Sequence, residues 1–151
     1  MANYTGLNVI VEADVTKYQP DAFGFGIAAV DTTAVNYFEQ TNNDILRRLR
    51  IEWFSAKDSD VEMEDTRVNL DQFERCGVYL FLGRFMLPAL TKFRSEADKD
   101  RFERMAEYYM TEFNKEFQSI LEDGVEYDSD DSATIGDSEK VTLHGYNRLI
   151  R

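Results

Sequence analysis

Apolar residues recur at helical spacing over three long stretches of the chain. In the first, from Asp31 to about Ala56, Val35, Phe38, Ile45, Leu46, Leu49 and Trp53 keep intervals of three, four or seven residues, with polar residues between them. Asp31, Thr32 or Thr33 offers a side-chain oxygen to cap the helix start. Asn42-Asn43-Asp44 is a weak point that can divide this segment into two shorter helices, and the acidic stretch from Lys57 to Asp65 reads as a loop. The second stretch, Asn69 to Phe93, carries Phe73, Cys76, Leu80, Phe81, Met86, Leu87 and Leu90. It is the most apolar segment and the expected centre of the core. Pro88 lacks a backbone donor and crowds the carbonyl four residues earlier, which predicts a kink near Arg84, and Gly77 and Gly83 give a neighbouring helix room for close approach. The third stretch is the clearest. Ser95 caps it, Glu96, Asp98 and Asp100 suit the positive end of the helix dipole, and Gly124 ends it. Phe102, Met105, Tyr109, Phe113, Phe117, Ile120 and Leu121 form its buried stripe, and at about 1.5 Å per residue it is about 40 Å long. The fold class that follows is mainly α, a bundle of three to four helices.

The flanks are less regular. Residues 1–30 read as an N-terminal arm or short helices: Leu7–Val11 suits a short strand or extended arm, Asp14 a helical turn, and Gln19-Pro20-Asp21 a second helix start. The bundle occupies 31–124. Beyond Gly124, residues 125–139 carry six acidic groups and no basic one, a composition that cannot bury enough apolar surface to fold by itself and reads as an extended linker. The segment from Val141 to Arg151 is apolar and basic again, with Val141 and Leu143 alternating with polar residues as a strand does. A tail carrying Val141, Leu143, Tyr146, Arg148, Leu149, Ile150 and Arg151 needs cover, either from its own bundle or from another chain. Adding a strand to a partner's sheet edge is the economical way for an extended tail to bind.

Composition narrows the function. A hydrophobic fraction of 43% with 11 Phe and 8 Tyr is globular, and no apolar run approaches the roughly 18–20 residues of a membrane span. The first residues lack the basic and apolar parts of a secretory signal, and a single cysteine suits a reducing compartment, so synthesis in a cytoplasm is expected. A formal net charge of −12 argues against binding duplex DNA through its phosphates. Such a surface serves solubility, and it also lets a duplex slide past without sticking.

No catalytic constellation is present. Cys76 lies on an apolar face, His144 is far away in the tail, and there is neither a phosphate-binding glycine loop nor a Cys/His metal cluster; no cofactor and no enzymatic activity are expected. One stretch resembles an EF-hand Ca²⁺ loop: from Asp128 to Glu139, oxygen ligands Asp128, Asp130 and Ser132 fall at positions 1, 3 and 5, an apolar residue at 8 and Glu139 at 12. Against it, Ala133 stands at position 6, where glycine allows the sharp turn, and no helix pattern follows Glu139. Arg47, Arg48 and Arg50 are the densest basic cluster, and Arg47 and Arg50 share a helix face that suits either solvent or an acidic neighbouring subunit. Beside a binding protein, a Ca²⁺-binding interaction module and a small acidic cytoplasmic helical regulator are the other readings.

Over about residues 30–151 the layout resembles the head-to-tail connector adaptors, or head completion proteins, of tailed bacteriophages. Three features carry the resemblance: the Tyr- and Phe-rich final helix with Tyr108-Tyr109-Met110-Thr111-Glu112-Phe113 and Phe117-Gln118-Ser119-Ile120-Leu121, the acidic turn Gly124-Val125-Glu126-Tyr127-Asp128-Ser129-Asp130, and the tip Tyr146-Asn147-Arg148-Leu149-Ile150-Arg151. Residues 1–30 do not match. The resemblance implies a virion protein of the neck at the capsid vertex, forming a ring, typically of twelve copies, beneath the portal protein. In such a ring the bundles make the wall, residues about 141–151 dock on the portal, and a downstream neck or tail-terminator protein binds the other side. DNA passes through the lumen without sequence-specific binding.

Overall fold

In the computed structural model, residues 9–10, 12–20, 37–54, 62–88, 96–136 and 139–141 are described. Helix α4 (Glu96–Asp123) is the axis on which the rest assembles. Its stripe of Phe102, Tyr109, Phe113, Phe117, Ile120 and Leu121 is buried as expected, while Met105 is only half-buried. Gly124 stops the helix with φ 112°, a left-handed conformation that glycine adopts without penalty, and its N–H returns to the Ile120 carbonyl at 3.0 Å. Ser95, the expected cap, lies outside the described residues.

Packed along α4 is the central run from Leu70 to Met86: a 3₁₀ turn Leu70–Phe73, helix α3 (Glu74–Leu80) and π-helical turns Phe81–Met86. The Asn69 side chain starts it by accepting the Asp71 N–H at 3.2 Å. The disturbance expected near Arg84 takes the form of a change in helical register. The Leu87 N–H reaches back five residues to the Leu82 carbonyl, just before Pro88, which has no N–H to continue a four-residue ladder. Gly83 lies close against α4, where an added Cβ would meet the Ala106 carbonyl oxygen at 3.1 Å. At Gly77 the close neighbour is not a helix but buried Val9 and Ile10; an added Cβ would meet Ile10 Cγ2 at 2.8 Å.

Helix α1 (Glu12–Tyr18) rests on α3 through the Lys17–Glu74 ion pair at 3.0 Å and the edge-on Tyr18–Tyr79 ring contact. Helix α2 (Tyr37–Leu49) continues into a π-helical turn over Arg50–Phe54 and buries Phe38, Ile45, Leu46, Leu49 and Trp53. It does not break at Asn42-Asn43-Asp44: Thr41 and Asn42 are buried on its inner face, and Asp44 pairs with Arg84 at 3.4 Å across to the central run. The fold is thus mainly α, four helices among the described residues, with one two-stranded ribbon of β1 (Val125–Glu126) and β2 (Lys140–Val141).

Phe113 is 4% exposed, in ring contact with Phe117 and beneath the Arg48 guanidinium at 5.2 Å. Phe113→Ala is expected to cost about 3–5 kcal/mol, read as a lower urea midpoint with an unchanged slope; a loss of a few tenths of a kcal/mol would contradict its burial.

Candidate functional site

The acidic stretch after α4 is not an extended linker; it folds onto the bundle. The composition argument counted charges and overlooked two apolar residues, Val125 and Tyr127, which are 0% and 5% exposed. The Tyr127 ring lies against Trp53 and Phe54, with centroids 6.0 Å and 5.5 Å away, and its hydroxyl accepts the Glu64 N–H at 3.1 Å. Its backbone bridges Val68, and the flanking amides complete the seam: Asn69 N–H to the Glu126 carbonyl at 3.1 Å and Asp128 N–H to the Arg67 carbonyl at 3.0 Å. Gln72 clamps the start, donating to the Gly124 carbonyl and accepting the Glu126 N–H at 2.8 Å.

Between β1 and β2 the loop closes on two carboxylates. Asp128, 3% exposed, accepts the Ser132 N–H at 3.0 Å and the Ala133 N–H at 2.8 Å. Glu139, 9% exposed, takes the Ser129 N–H at 2.7 Å, the Ser129 hydroxyl at 2.8 Å and the Asp130 N–H at 3.3 Å on one oxygen, and the Gly136 N–H at 2.9 Å on the other. The backbone donors from Gly136 and the Ser129 side chain lead in holding the Glu139 carboxyl below its ordinary range, and hydrogen bonds from Ser132 do the same for Asp130. Asp131 and Ala133 take left-handed φ of 60° and 62°. The turn for which the sequence wanted glycine therefore forms with alanine in place.

Of the residues singled out in the sequence, Asp128, Asp130 and Glu139 come together, each offering a carboxylate oxygen within 4.8 Å of the others. Ser132 joins them through its backbone, while its hydroxyl donates to the Thr134 carbonyl at 2.9 Å. Those oxygens are positioned to hold a divalent cation, in competition with the amides that now satisfy them. Val141 pairs with Val125, and Lys140 with Glu126, antiparallel within the chain, so the strand read as a candidate for a partner's sheet begins as an intramolecular ribbon. Leu143, His144, Tyr146, Arg148, Leu149, Ile150 and Arg151 lie outside the described residues. Arg50 is engaged in the chain by an ion pair with Asp65 at 2.7 Å, and Arg47 is exposed. Cys76 is buried, desolvation pushes its thiol up, and it is poorly placed for nucleophilic chemistry. Tyr127 was named in the acidic turn but not as an anchor, and Gln72 and Arg67 were not anticipated. The signal for Tyr127 was an aromatic inside an otherwise polar run; Gln72 and Arg67 gave none.

Comparison with protein-family models, curated proteins and solved structures finds no match for this chain. No helix among the described residues is long and apolar enough to cross a membrane.

Because the folded loop binds protons less readily than an unfolded chain at Glu139 and Asp130, its stability contribution is full above their ordinary values of 4.5 and 3.8 and fades as pH falls through the lowered folded values. Melting temperatures followed from about pH 7 to about pH 3 should fall once below about 4.5. Glu139→Gln should melt lower at neutral pH and show a shallower acid slope. An unchanged slope would mean that the clamp does not form in solution.

Proposed function

We propose that this chain is a non-catalytic structural adaptor of the head-to-tail connector class: a virion neck protein that forms a ring beneath the portal, extends the DNA channel, and receives a downstream neck or tail-terminator protein. One observation carries the reading beyond the sequence resemblance. The acidic turn is stapled to the bundle at Tyr127 and at the β1–β2 ribbon, so the chain is held to the bundle as far as Val141, the root of the segment from residue 142. A rigid root lowers the ordering cost of binding for the segment that follows. That segment supplies the apolar and basic groups, Leu143, Tyr146, Arg148, Leu149, Ile150 and Arg151, that would dock on the portal. The net charge of −12 supports passage of a duplex without adhesion.

Electron microscopy of the chain mixed with the portal protein encoded near it tests this directly. An added ring of density is expected, lost when residues 142–151 are removed while helicity and melting stay nearly unchanged. Absence of binding by the full chain would sink the adaptor reading; a large stability loss on deletion would place those residues in the core instead.

A second reading, a Ca²⁺-binding interaction module, is favoured by the convergence of Asp128, Asp130 and Glu139 and by the left-handed turns at Asp131 and Ala133. Ca²⁺ at about millimolar concentration should then raise the melting temperature more than Mg²⁺ does, and Asp130→Asn should cut the effect. No shift with Ca²⁺ would remove this reading and leave the adaptor reading untouched.

A further inference from the structure

Two large apolar side chains stand in solvent among the described residues: Ile51 at 60% exposure and Tyr108 at 59%. Their settings are complementary. Ile51 projects from the π-helical turn that extends α2, with Arg47 one turn before it and Glu52 beside it. Tyr108 borders an open groove of about 760 Å³ along the first half of α4, lined also by Ala97, Asp100, Arg101, Arg104 and Met105.

The α2 corner meets α4 away from the groove. Arg48, three residues before Ile51, lies over the Phe117 ring at 4.5 Å and donates to Asn114 at 2.6 Å. Asn114 follows Tyr108 by six residues, which turns it about 120° around the helix axis. The α2 corner is thus tied to α4 at residues that do not line the groove, which leaves the groove open to a second copy. The charges fit as well. Arg47 and Asp100 are both exposed, and neither has an ion-pair partner among the described residues. Glu52, next to Ile51, is held by Arg48 at 3.0 Å, so the charge that the corner offers the groove is that of Arg47.

We propose that the Arg47–Ile51 corner of one copy seats in the Tyr108 groove of the next, with Ile51 against Met105 and Tyr108 and Arg47 beside Asp100. Because the two surfaces differ, the contact is heterologous and repeats from copy to copy, the kind that closes into a ring when the rotation allows. Closure into a ring rests on the adaptor reading; the contact itself does not. Apolar burial together with local pairing has to outweigh the repulsion between copies that each carry −12.

Sedimentation velocity of the full chain, taken up to concentrations on the order of 100 μM, is the test. Association that rises with concentration is expected, and Ile51→Lys or Tyr108→Lys should weaken it about tenfold or more with melting unchanged, since both side chains are solvent-exposed. Arg47→Glu and Asp100→Lys should each weaken it, and the two combined in one chain should restore it. A chain that stays monomeric throughout the range overturns the proposal, as does a double variant that loses the sum of the two single effects. Portal binding is read separately: a chain that binds portal but does not self-associate sinks this contact alone, and one that self-associates through these residues but ignores portal sinks the adaptor reading alone.

Discussion

The Tyr127 ring joins three parts of the chain that are distant in sequence. It packs on Trp53 and Phe54 at the end of α2, takes the amide of Glu64 from the loop that follows, and pairs its backbone with Val68 at the entry to the central run. Without it, the chain after α4 would have Val125 as its one buried apolar residue among those described. With it, the β1 backbone is fixed, and the bonds from the Asn69 and Asp128 amides to the Glu126 and Arg67 carbonyls fall into register. An aromatic side chain carries a large apolar surface on two rotatable bonds, so one residue can hold a segment whose remaining composition favours solvent.

The charge that the anchor draws in is handled by the backbone more than by cations. Arg67 is the nearest guanidinium, paired with Glu64 at 2.9 Å, reaching Asp131 at 3.6 Å and donating to the Ser129 carbonyl at 3.3 Å. The two most buried carboxylates, Asp128 and Glu139, are met instead by amides of the loop itself. Amide donors bring no counter-charge, so they lower the proton affinity of Glu139 without neutralising it. The loop is therefore ordered and still negative, and Asp130 and Asp131 remain exposed on its outer side.

Helical periodicity made the bundle legible: α4 matched its expected stripe from Phe102 to Leu121, and the central run matched from Phe73 to Leu87. Periodicity reports one face of a regular element, and its errors fall where that regularity ends. Asn42-Asn43-Asp44 looked like a break because those side chains compete for backbone groups locally, yet Asp44 is held by Arg84 from another element. Pro88 was expected to kink the run near Arg84; the structure shows there a five-residue hydrogen-bond register ending at Leu87, which depends on packing that spacing does not encode. The acidic loop was misjudged as a whole and read well in detail. Net charge hid the anchoring by Val125 and Tyr127, while the spacing from Asp128 to Glu139 brought together the carboxylates that do converge. Gln72 and Arg67 could not be found from sequence because their partners lie more than fifty residues away.

Order in the loop changes what the following residues can do. A flexible acidic linker would let residues 142–151 search a wide volume and would charge each binding event with ordering both linker and tail. A stapled loop removes the linker from that cost, so a short apolar and basic segment can hold a partner with few contacts. It also fixes the direction of the chain as far as Val141, since β2 runs antiparallel to β1 with Val141 opposite Val125. A protein that has to repeat one geometry around a ring gains more from a fixed direction than from reach, because a deviation at each subunit accumulates with every copy added. Stapling by Tyr127 and closure by Glu139 are thus the features of the fold that most favour an assembly role over a tethering one.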